Sequence, residues 1–250
     1  SDGLGAPPVA NSSRAGITVA ANDVTINSLI IANFTHGISI EDSNNIDIIG
    51  AITIRTQVSG ISIASSDSVT ISGFSIYGRD TTGTGILIED TASSVQLLST
   101  QDKNSSVENC NVGISVAGDD VSIDSVQVHT NSNDGISVTA EASNFISANN
   151  IIRDNGGNGI EATGLTSGSF YGNIIYDNGN TEFRIVSSHN LEIYDNTISN
   201  SEFGYGIHLT DGSDNEIYDN TLHTSTWLAR SDQTLIYDNN FVNITGGYNP

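Results

Sequence analysis

The sequence predicts an all-β fold, a parallel β-helix in which the chain winds through about ten coils of three short strands. Three observations predict it. A Gly-Ile-x-Ile-like tetrad recurs at intervals of about 21 to 28 residues, as expected for a solenoid repeat. Two further segments of alternating apolar and polar residues lie between successive tetrads, and alternation over a few residues is typical of strands. Asn recurs at matching places in the later repeats.

The tetrads supply the first strand of each predicted coil. Their second and fourth residues are mostly aliphatic, so this pair points into the helix while the third residue points outward. The eighth and tenth copies are degenerate. The ten copies are Gly16–Val19, Gly37–Ile40, Gly60–Ile63, Gly85–Ile88, Gly113–Val116, Gly135–Val138, Gly159–Ala162, Glu182–Ile185, Gly206–Leu209 and Trp227–Arg230.

The second and third strands are shorter alternating segments, such as Ile46–Ile48 and Ile52–Ile54 in one repeat. Inward residues of successive coils stack into Ile and Val ladders, which take the place of a globular core. Coils lie about 4.8 Å apart, so ten coils predict a rod roughly 50 Å long. Each coil needs neighbours to bury its apolar face. We therefore expect a single domain over residues 1–250, with coils from about 13 to 245 and short tails.

Asn residues mark two corners of the predicted coil. Stacked Asn side chains hydrogen-bond along a column and tolerate the left-handed backbone that such turns need. One set lies between the second and third strands, at Asn150, Asn173, Asn196, Asn220 and Asn240. Another set closes the third strand, at Asn131, Asn155 and Asn178.

The tetrads and the Asn-x-Ile segments, such as Asn173 to Asn178, resemble the repeats of the right-handed parallel β-helix family. This family includes pectate-lyase-like proteins, alginate C-5 epimerase modules and NosD-like periplasmic proteins. The resemblance implies a right-handed, single-stranded parallel β-helix, and it implies fold more than function. The Asp-Pro-His motif of the epimerases is absent, since Pro occurs only at 7, 8 and 250. The Gly-Asp-Gly-x-x-Asp-Asp stretch of the pectate-lyase-like enzymes is also absent.

Charge excludes several classes of function. The chain has 29 Asp and Glu against 7 Lys and Arg, a net charge of -22. Binding to nucleic acid or to an anionic membrane surface needs clustered cations, so neither is expected. No run reaches the roughly 18 apolar residues of a membrane span. The single cysteine excludes an internal disulfide.

The sequence contains no Met, which predicts a mature chain from which a signal peptide has been removed. We therefore expect an extracellular or cell-surface protein, with a boundary inside a longer chain as the alternative.

Candidate catalytic residues come from aligning the third strands. An outward row results: Ala32, Arg55, Tyr77, Glu108, His129, Arg153, Tyr176, Ser199, His223 and Asn243. The middle of this row and the next residues give the candidate group His129, Arg153, Asp154, Tyr176 and Asp177. A base, a cation and phenols suit proton abstraction beside a uronate carboxylate, and two carboxylates suit glycoside hydrolysis. A varied solvent-exposed face is the alternative interpretation.

Two further outward columns lie on the second strands. Tyr171, Tyr194, Tyr218 and Tyr237 form a candidate glycan-binding column, since aromatic rings stack on sugars or on one another. Asp195, Asp219 and Asp238 form a candidate metal column. Stacked carboxylates repel one another unless bridged, and Ca²⁺ takes oxygen ligands. The repeat consensus Tyr-Asp-Asn explains both columns equally well.

Other polar residues are interpreted as structural or as sites of modification. Glu161, Arg184 and His208 are successive outward first-strand residues, which predicts an ion-pair ladder. Four sequons place candidate glycosylation sites at Asn11, Asn33, Asn104 and Asn243.

Two functions from different classes remain open. The favoured one is a non-catalytic extracellular rod that is structural, adhesive or self-assembling and binds glycans, with a polysaccharide or copies of itself as partner. The other is a carbohydrate-active enzyme, a lyase, epimerase or glycoside hydrolase acting on an extracellular polysaccharide. An ice-binding face would need regular Thr rows, which the irregular outward first-strand row does not provide.

Overall fold

β-Strands account for all the regular structure in residues 15–79, 82–199 and 204–242, the part of the chain that this computed structural model describes. No helix in these ranges is long and apolar enough to span a membrane.

The strands of the first five coils follow one another in chain order. They are β1 (Ala15–Val19), β2 (Val24–Asn27), β3 (Ile30–Glu41), β4 (Asn44–Ile49), β5 (Ile52–Ala64), β6 (Asp67–Ser72), β7 (Phe74–Gly78), β8 (Thr84–Ile88), β9 (Ser93–Leu98), β10 (Ser105–Glu108), β11 (Val112–Val116), β12 (Ser122–Asp124) and β13 (Val126–His129).

The strands of the later coils are shorter. They are β14 (Ile136–Val138), β15 (Phe145–Ala148), β16 (Ile151–Arg153), β17 (Ile160–Thr163), β18 (Gly168–Tyr171), β19 (Ile174–Tyr176), β20 (Phe183–Val186), β21 (Leu191–Tyr194), β22 (Thr197–Ser199), β23 (Ile207–Thr210), β24 (Glu216–Tyr218), β25 (Thr221–Leu222), β26 (Thr226–Ala229), β27 (Leu235–Tyr237) and β28 (Asn240–Phe241).

Every strand pairs in parallel with its counterpart one coil away. The second strands of the coils form a sheet of 10 strands, and the first and third strands form a sheet of 18. The register follows the repeat, since Ile61 lies between Ile38 and Ile86 in the larger sheet. The predicted parallel β-helix of about ten coils is confirmed.

The first coils do not consist of three separate strands. In β3 and β5 the third strand of one coil runs directly into the first strand of the next. Their pairing passes through register irregularities between Ala32 and His36 instead of breaking at a corner. Three later coils turn at this corner on a buried Asn, at Asn131, Asn155 and Asn178. In β3 and β5, His36 and Ser59 lie at the bend instead, and their side chains contact each other at 2.7 Å.

The core is a column of stacked aliphatic side chains. Ile38, Ile61, Ile86 and Ile114 are fully buried at equivalent positions of successive coils. In the later coils, buried rings enter the column. The Phe170 ring centroid lies 5.5 Å from that of Phe145 and 4.7 Å from that of Phe183. The ladder explains how a chain that is only 36% hydrophobic holds a continuous core.

An amide ladder joins the corners between second and third strands. Asn173 donates through Nδ2 to Oδ1 of Asn196, and Asn196 donates in the same way to Asn220, both at 2.9 Å. Asn150 joins the ladder through its backbone N–H, which donates to Asn173 Oδ1 at 3.0 Å. The predicted ladder is therefore present, with one error. Its last member is Asn239, which accepts from Asn220 at 2.9 Å, whereas Asn240 is exposed in β28. The Tyr-Asp-Asn repeat at 237–239 gives the correct alignment.

A second set, the corner ladder, closes the third strands. Asn131 donates to Asn155 and Asn155 donates to Asn178, both at 2.9 Å. The ladder ends on a carboxyl group, because Asn178 Nδ2 donates to Glu182. Glu182 is fully buried, and burial raises its pKa to about 7. This buried acid occupies the degenerate tetrad.

Candidate functional site

The predicted outward row of third-strand residues is present in the larger sheet. Arg55 lies between Ala32 and Tyr77, and the row continues through Glu108 to His129. From there it passes through Arg153 and Tyr176 to Ser199. Asn243 lies outside the described residues. The alignment of the row is confirmed from Ala32 to Ser199, while the catalytic role of its members stays a prediction.

Three members of the predicted catalytic group lie in one outward row, and one of them, Arg153, is engaged in an ion pair. His129 lies directly beside Arg153, and Arg153 beside Tyr176. Arg153 forms an ion pair with Asp154, the next residue in the chain. Both Asp154 and Asp177 occupy left-handed turn positions, with φ of 53° and 55°, which short polar side chains tolerate.

His129 has a neutral imidazole near pH 7. Burial lowers its pKa, and Arg153 adds to this effect, while Glu108 and Asp154 act in the opposite direction. Its Nδ1 lies 3.0 Å from the Thr130 hydroxyl. The arrangement offers a base but leaves no unpaired guanidinium beside it, since Arg153 is bound to Asp154.

The predicted tyrosine column (Tyr171, Tyr194, Tyr218 and Tyr237) is a continuous stack. Neighbouring ring centroids lie 5.1, 5.1 and 5.0 Å apart, and the planes differ by 13°, 5° and 3°. Rings stacked in this way cover one another's faces, so a sugar would meet their edges and hydroxyl groups. The geometry favours packing of Tyr on Tyr over stacking on a glycan, and a glycan-binding role stays a prediction.

The predicted metal column lies at the turns that follow these tyrosines. Asp195, Asp219 and Asp238 have φ of 54°, 53° and 51°, so each occupies a left-handed position before an amide-ladder Asn. Across the described ranges, no group of three or more His, Cys, Asp or Glu is arranged to hold a metal ion. Turn geometry therefore accounts for the repeated Asp, and Ca²⁺ binding stays an untested prediction.

Two of the four predicted glycosylation sites lie within the described residues, and both are exposed: Asn33 and Asn104. Asn33 accepts a hydrogen bond from Arg79 at 3.1 Å. Asn11 and Asn243 lie outside the described residues.

The first-strand row holds a site that the sequence analysis interpreted as structural. Glu161, Arg184, His208 and Trp227 succeed one another along the larger sheet. The expected ion pair between Arg184 and Glu161 is present. Beside it opens a cleft of about 400 Å³, the Asp134 cleft. Its lining residues are Asn133, Asp134, Asn158, Glu161, Asn180, Thr181, Arg184 and His208.

One amide brings two carboxyl groups of this cleft together. Asn158 donates through Nδ2 to Asp134 Oδ1 at 3.1 Å and to Glu161 Oε2 at 3.0 Å. Its backbone N–H also donates to Asp134 Oδ1, at 2.7 Å. Burial, and then the charge and hydrogen-bonding contact of Glu161, raise the pKa of Asp134 against the effect of the Asn158 bonds. Asp134 and Glu161 therefore form a close pair in unlike environments.

Aromatic rings border the other end of the cleft. The Tyr205 ring centroid lies 5.3 Å from that of His208 and 5.4 Å from that of Trp227. The Trp227 side chain is 48% exposed, so its ring is open to solvent. Burial and the Arg184 charge lower the pKa of His208, which leaves a neutral imidazole beside the rings. Hydrogen-bonding groups next to exposed aromatic rings are suited to sugars.

Sequence reasoning missed Asp134, Asn158 and Tyr205 because they lie outside the alternating strands. Each comes directly before the Gly of a tetrad, where the chain turns from the third strand into the next first strand. Aligning the residues that precede the tetrads would have shown that these positions are adjacent in space.

Another cleft, of about 560 Å³, lies over the first coils of the same sheet. It is lined by Ala32, Asn33, Arg55, Tyr77 and Arg79. It extends the polar outward face of the larger sheet toward the first described coil.

Solved structures with this architecture include polysaccharide-modifying and phage proteins. The periplasmic alginate epimerase AlgG superposes with a TM-score of 0.62 and 14% identity, over 83% of this chain and 49% of that one. Tailspike protein 2 of Escherichia coli O157:H7 bacteriophage CAB120 superposes with a TM-score of 0.61 and 14% identity, over 88% of this chain and 35% of that one. The A-module of the Azotobacter vinelandii mannuronan C-5 epimerase AlgE6 superposes with a TM-score of 0.51 and 12% identity, over 91% of this chain and 80% of that one.

At these identities the likeness shows the fold alone. The chain spans about half the length of the alginate epimerase that it matches. No curated protein sequence matches it. Residues 84–247 match the family described as the right handed beta helix region. Because this match covers more than half of the sequence, the chain belongs to the right-handed β-helix family.

Proposed function

We propose that the chain is an exported, glycan-binding β-helix rod that holds a polysaccharide along the outward face of its larger sheet. The observation that supports this most directly is the Asp134 cleft, where polar side chains lie beside the exposed Trp227 ring. Amides and carboxylates can bond sugar hydroxyls, while an indole covers the apolar face of a sugar ring. One structural neighbour is an alginate epimerase, which is consistent with the use of this fold on polysaccharides.

The charge of the molecule favours a neutral glycan. A net charge of -22 repels a polyanion. The cation in the Asp134 cleft, Arg184, is already paired with Glu161. A carboxylated or sulfated chain would therefore find little compensation in this cleft.

Affinity electrophoresis through gels that contain a single polysaccharide tests the proposal. The wild-type chain is run against amylose, dextran, galactomannan and xylan, with alginate as the anionic comparison. We expect retardation by at least one neutral polymer and none by alginate. If no gel retards the protein, glycan binding is wrong.

Two aromatic variants locate the binding surface. Trp227→Ala removes the ring beside the cleft, and Tyr237→Ala removes the last ring of the tyrosine column, which is 41% exposed. The proposal predicts that Trp227→Ala weakens retardation and that Tyr237→Ala does not. The opposite result would move the glycan to the smaller sheet and contradict the larger-sheet assignment.

A carbohydrate-active enzyme is the second candidate, with His129, Arg153, Asp154, Tyr176 and Asp177 as its predicted group. The neutral imidazole of His129, which lies in one outward row beside Arg153 and two coils from Tyr176, favours it. Uronate polymers should then yield new ultraviolet absorbance on incubation, and Tyr176→Phe should abolish it. Unchanged turnover by Tyr176→Phe and Asp177→Asn would exclude this group as the site.

We also propose that the rod self-associates through its last described coil. The last described coil exposes large apolar side chains, including Leu228, Leu235 and Phe241. Such side chains gain by packing against another coil, from the rest of the chain or from a second copy. Light scattering over a range of protein concentrations tests the second case, and a monomer at all concentrations would exclude it.

A further inference from the structure

The cleft over the first coils, here called the Arg55 cleft, collects positive charge on an acidic molecule. Its volume is about 560 Å³, and its lining residues are Ala32, Asn33, Arg55, Tyr77 and Arg79. None of these residues is acidic, although the chain has 29 Asp and Glu against 7 Lys and Arg. The cleft therefore gathers two of the few cations of the chain in one place.

Strand pairing brings the lining residues together from three successive coils. Arg55 lies between Ala32 and Tyr77 in the outward row of the larger sheet. The backbone N–H of Arg79 donates to the Thr56 carbonyl at 2.9 Å, which holds Arg79 beside the residue that follows Arg55. Ala32 has the smallest side chain of the row, so it leaves space next to Arg55.

The two arginines differ from the others in their partners. Three other arginines in residues 15–79, 82–199 and 204–242 each form an ion pair with a carboxylate: Arg153, Arg184 and Arg230. Neither Arg55 nor Arg79 forms such a pair within these ranges, and both residues are exposed. Their positive charges are therefore open to a ligand.

Neighbouring polar groups orient the site without neutralising it. Arg79 donates from Nη1 to Asn33 Oδ1 at 3.1 Å, which uses one of the five N–H donors of a guanidinium and leaves its charge in place. Tyr77 is 44% exposed, and its hydroxyl adds a further donor. The next carboxylate in the row, Glu108, lies on the side of Tyr77 away from Arg55.

These donors match a tetrahedral oxyanion. A carboxylate has two oxygens, and one guanidinium can bind both of them in a bidentate manner. A phosphate or sulfate ester presents three terminal oxygens, which can accept from two guanidinium groups and a phenol at once. The cleft is larger than such a group alone, so it also has room for the molecule that carries the ester.

We infer that the Arg55 cleft binds one tetrahedral oxyanion, either a free ion or a phosphate or sulfate ester on a sugar, through Arg55, Arg79 and Tyr77. The charge of the molecule restricts the ligand to a single anionic group, because the acidic remainder of the rod repels a polyanion. The Arg55 cleft shares no lining residue with the Asp134 cleft. The inference therefore does not depend on the proposed binding of a neutral glycan.

Isothermal titration calorimetry of the full chain at low ionic strength tests the inference. The probes are glucose 6-phosphate, glucose 6-sulfate, inorganic phosphate and, as the carboxylate comparison, glucuronate. The variants are Arg55→Gln and Arg79→Gln, with Arg230→Gln as the control, since Arg230 is an exposed arginine far along the chain that pairs with Asp211. Circular dichroism confirms that each variant keeps the fold.

At least one sugar ester should bind the wild type, and glucuronate should bind at least about tenfold more weakly. Each cleft variant should weaken binding of the ester at least about tenfold, as expected for the loss of a hydrogen-bonded charge, and Arg230→Gln should leave it unchanged. Binding of inorganic phosphate as tight as that of the ester would support a site for the free ion, and weaker binding would support a sugar ester.

Other results would overturn the inference. No binding of any tetrahedral oxyanion would exclude the site. Glucuronate that binds as tightly as the esters would contradict the assignment to a tetrahedral group. Wild-type affinity in either cleft variant, or an equal loss in Arg230→Gln, would show that the two arginines do not form the site.

Discussion

At the scale of single residues, buried carboxyl groups determine how the molecule responds to pH. Glu182 is fully buried at the end of the corner ladder, and burial raises its pKa to about 7. The native state therefore keeps this proton to a higher pH than the unfolded chain does. The contribution of Glu182 to the free energy of unfolding is complete below the ordinary pKa of Glu and is lost as the pH rises through about 7.

Glu182→Gln should stabilise the protein at pH 8 by roughly 1 to 3 kcal/mol and change little at pH 5, because the variant carries no charge to bury at either pH. Chemical denaturation at the two pH values measures the difference. Glu192→Gln, at an exposed position, should show no such dependence on pH. An equal effect of Glu182→Gln at both pH values would mean that the buried charge is unimportant.

Amide-ladder residues are expected to be costly to remove. Asn196 donates to Asn220 at 2.9 Å and to the Phe170 carbonyl at 2.8 Å, and it accepts from the Asn173 backbone at 3.0 Å. Asn196→Ala leaves that buried N–H unpaired, so we expect a loss of about 2 to 4 kcal/mol in the free energy of unfolding. Asn240→Ala, outside the ladder, should change it by less than about 0.5 kcal/mol. Similar losses in the two variants would contradict the ladder alignment.

Individual residues were predictable where they repeat. The amide and corner ladders follow from Asn at matching positions, and the one error, Asn240 for Asn239, came from misaligning a short last repeat. Glu182 and Asp134 were not predictable in this way. Glu182 replaces the Gly that the repeat would supply, whereas Asp134 lies at a turn position where no residue type repeats. The burial of both depends on the neighbouring coils.

At the scale of elements, the tetrad glycines permit the close approach of neighbouring coils. A Cβ on Gly135 would lie 2.6 Å from the Gly159 carbonyl oxygen and 2.8 Å from Asn155 Nδ2. Both contacts are shorter than packed atoms allow, and one of them is to rigid backbone. This close approach explains why most tetrads begin with Gly, which periodicity alone did not explain.

Gly135→Ala should therefore lower the free energy of unfolding by about 1 to 3 kcal/mol or more, since the coil below cannot give way. Thermal or chemical denaturation measures this. Ser137→Ala, two residues along and pointing outward, is the matched control and should be nearly neutral. A neutral Gly135→Ala would show that the coils can move apart.

Strand register was predictable because identical side chains stack across coils. The outward rows His129–Arg153–Tyr176 and Glu161–Arg184–His208 both follow from that rule. The Asp134 cleft was not predictable, because it forms where a turn meets a strand. Its members Asp134 and Asn158 belong to turns, and the alternation of apolar and polar residues does not describe the course of a turn. The merging of strands in β3 and β5 was missed for the same reason.

At the scale of the whole molecule, charge is the dominant feature. A net charge of -22 on a rod-shaped solenoid produces self-repulsion that salt screens. We expect the melting temperature to rise by a few degrees between about 0.02 M and about 0.5 M NaCl. Differential scanning calorimetry at the two salt concentrations measures this change in melting temperature. A melting temperature that falls with salt would mean that attractive ion pairs, such as Arg184–Glu161, outweigh the repulsion.

We propose that a neutral polysaccharide lies along the larger sheet beside Trp227. The chain offers a direct probe of this, because its sequence contains one Trp. The measurement is a titration of tryptophan fluorescence with a polysaccharide that retards the protein in gels. A saturable change in intensity or wavelength, with the concentration dependence seen in the gels, is the predicted result. Fluorescence that stays constant while the gels show binding would place the glycan elsewhere and contradict the account.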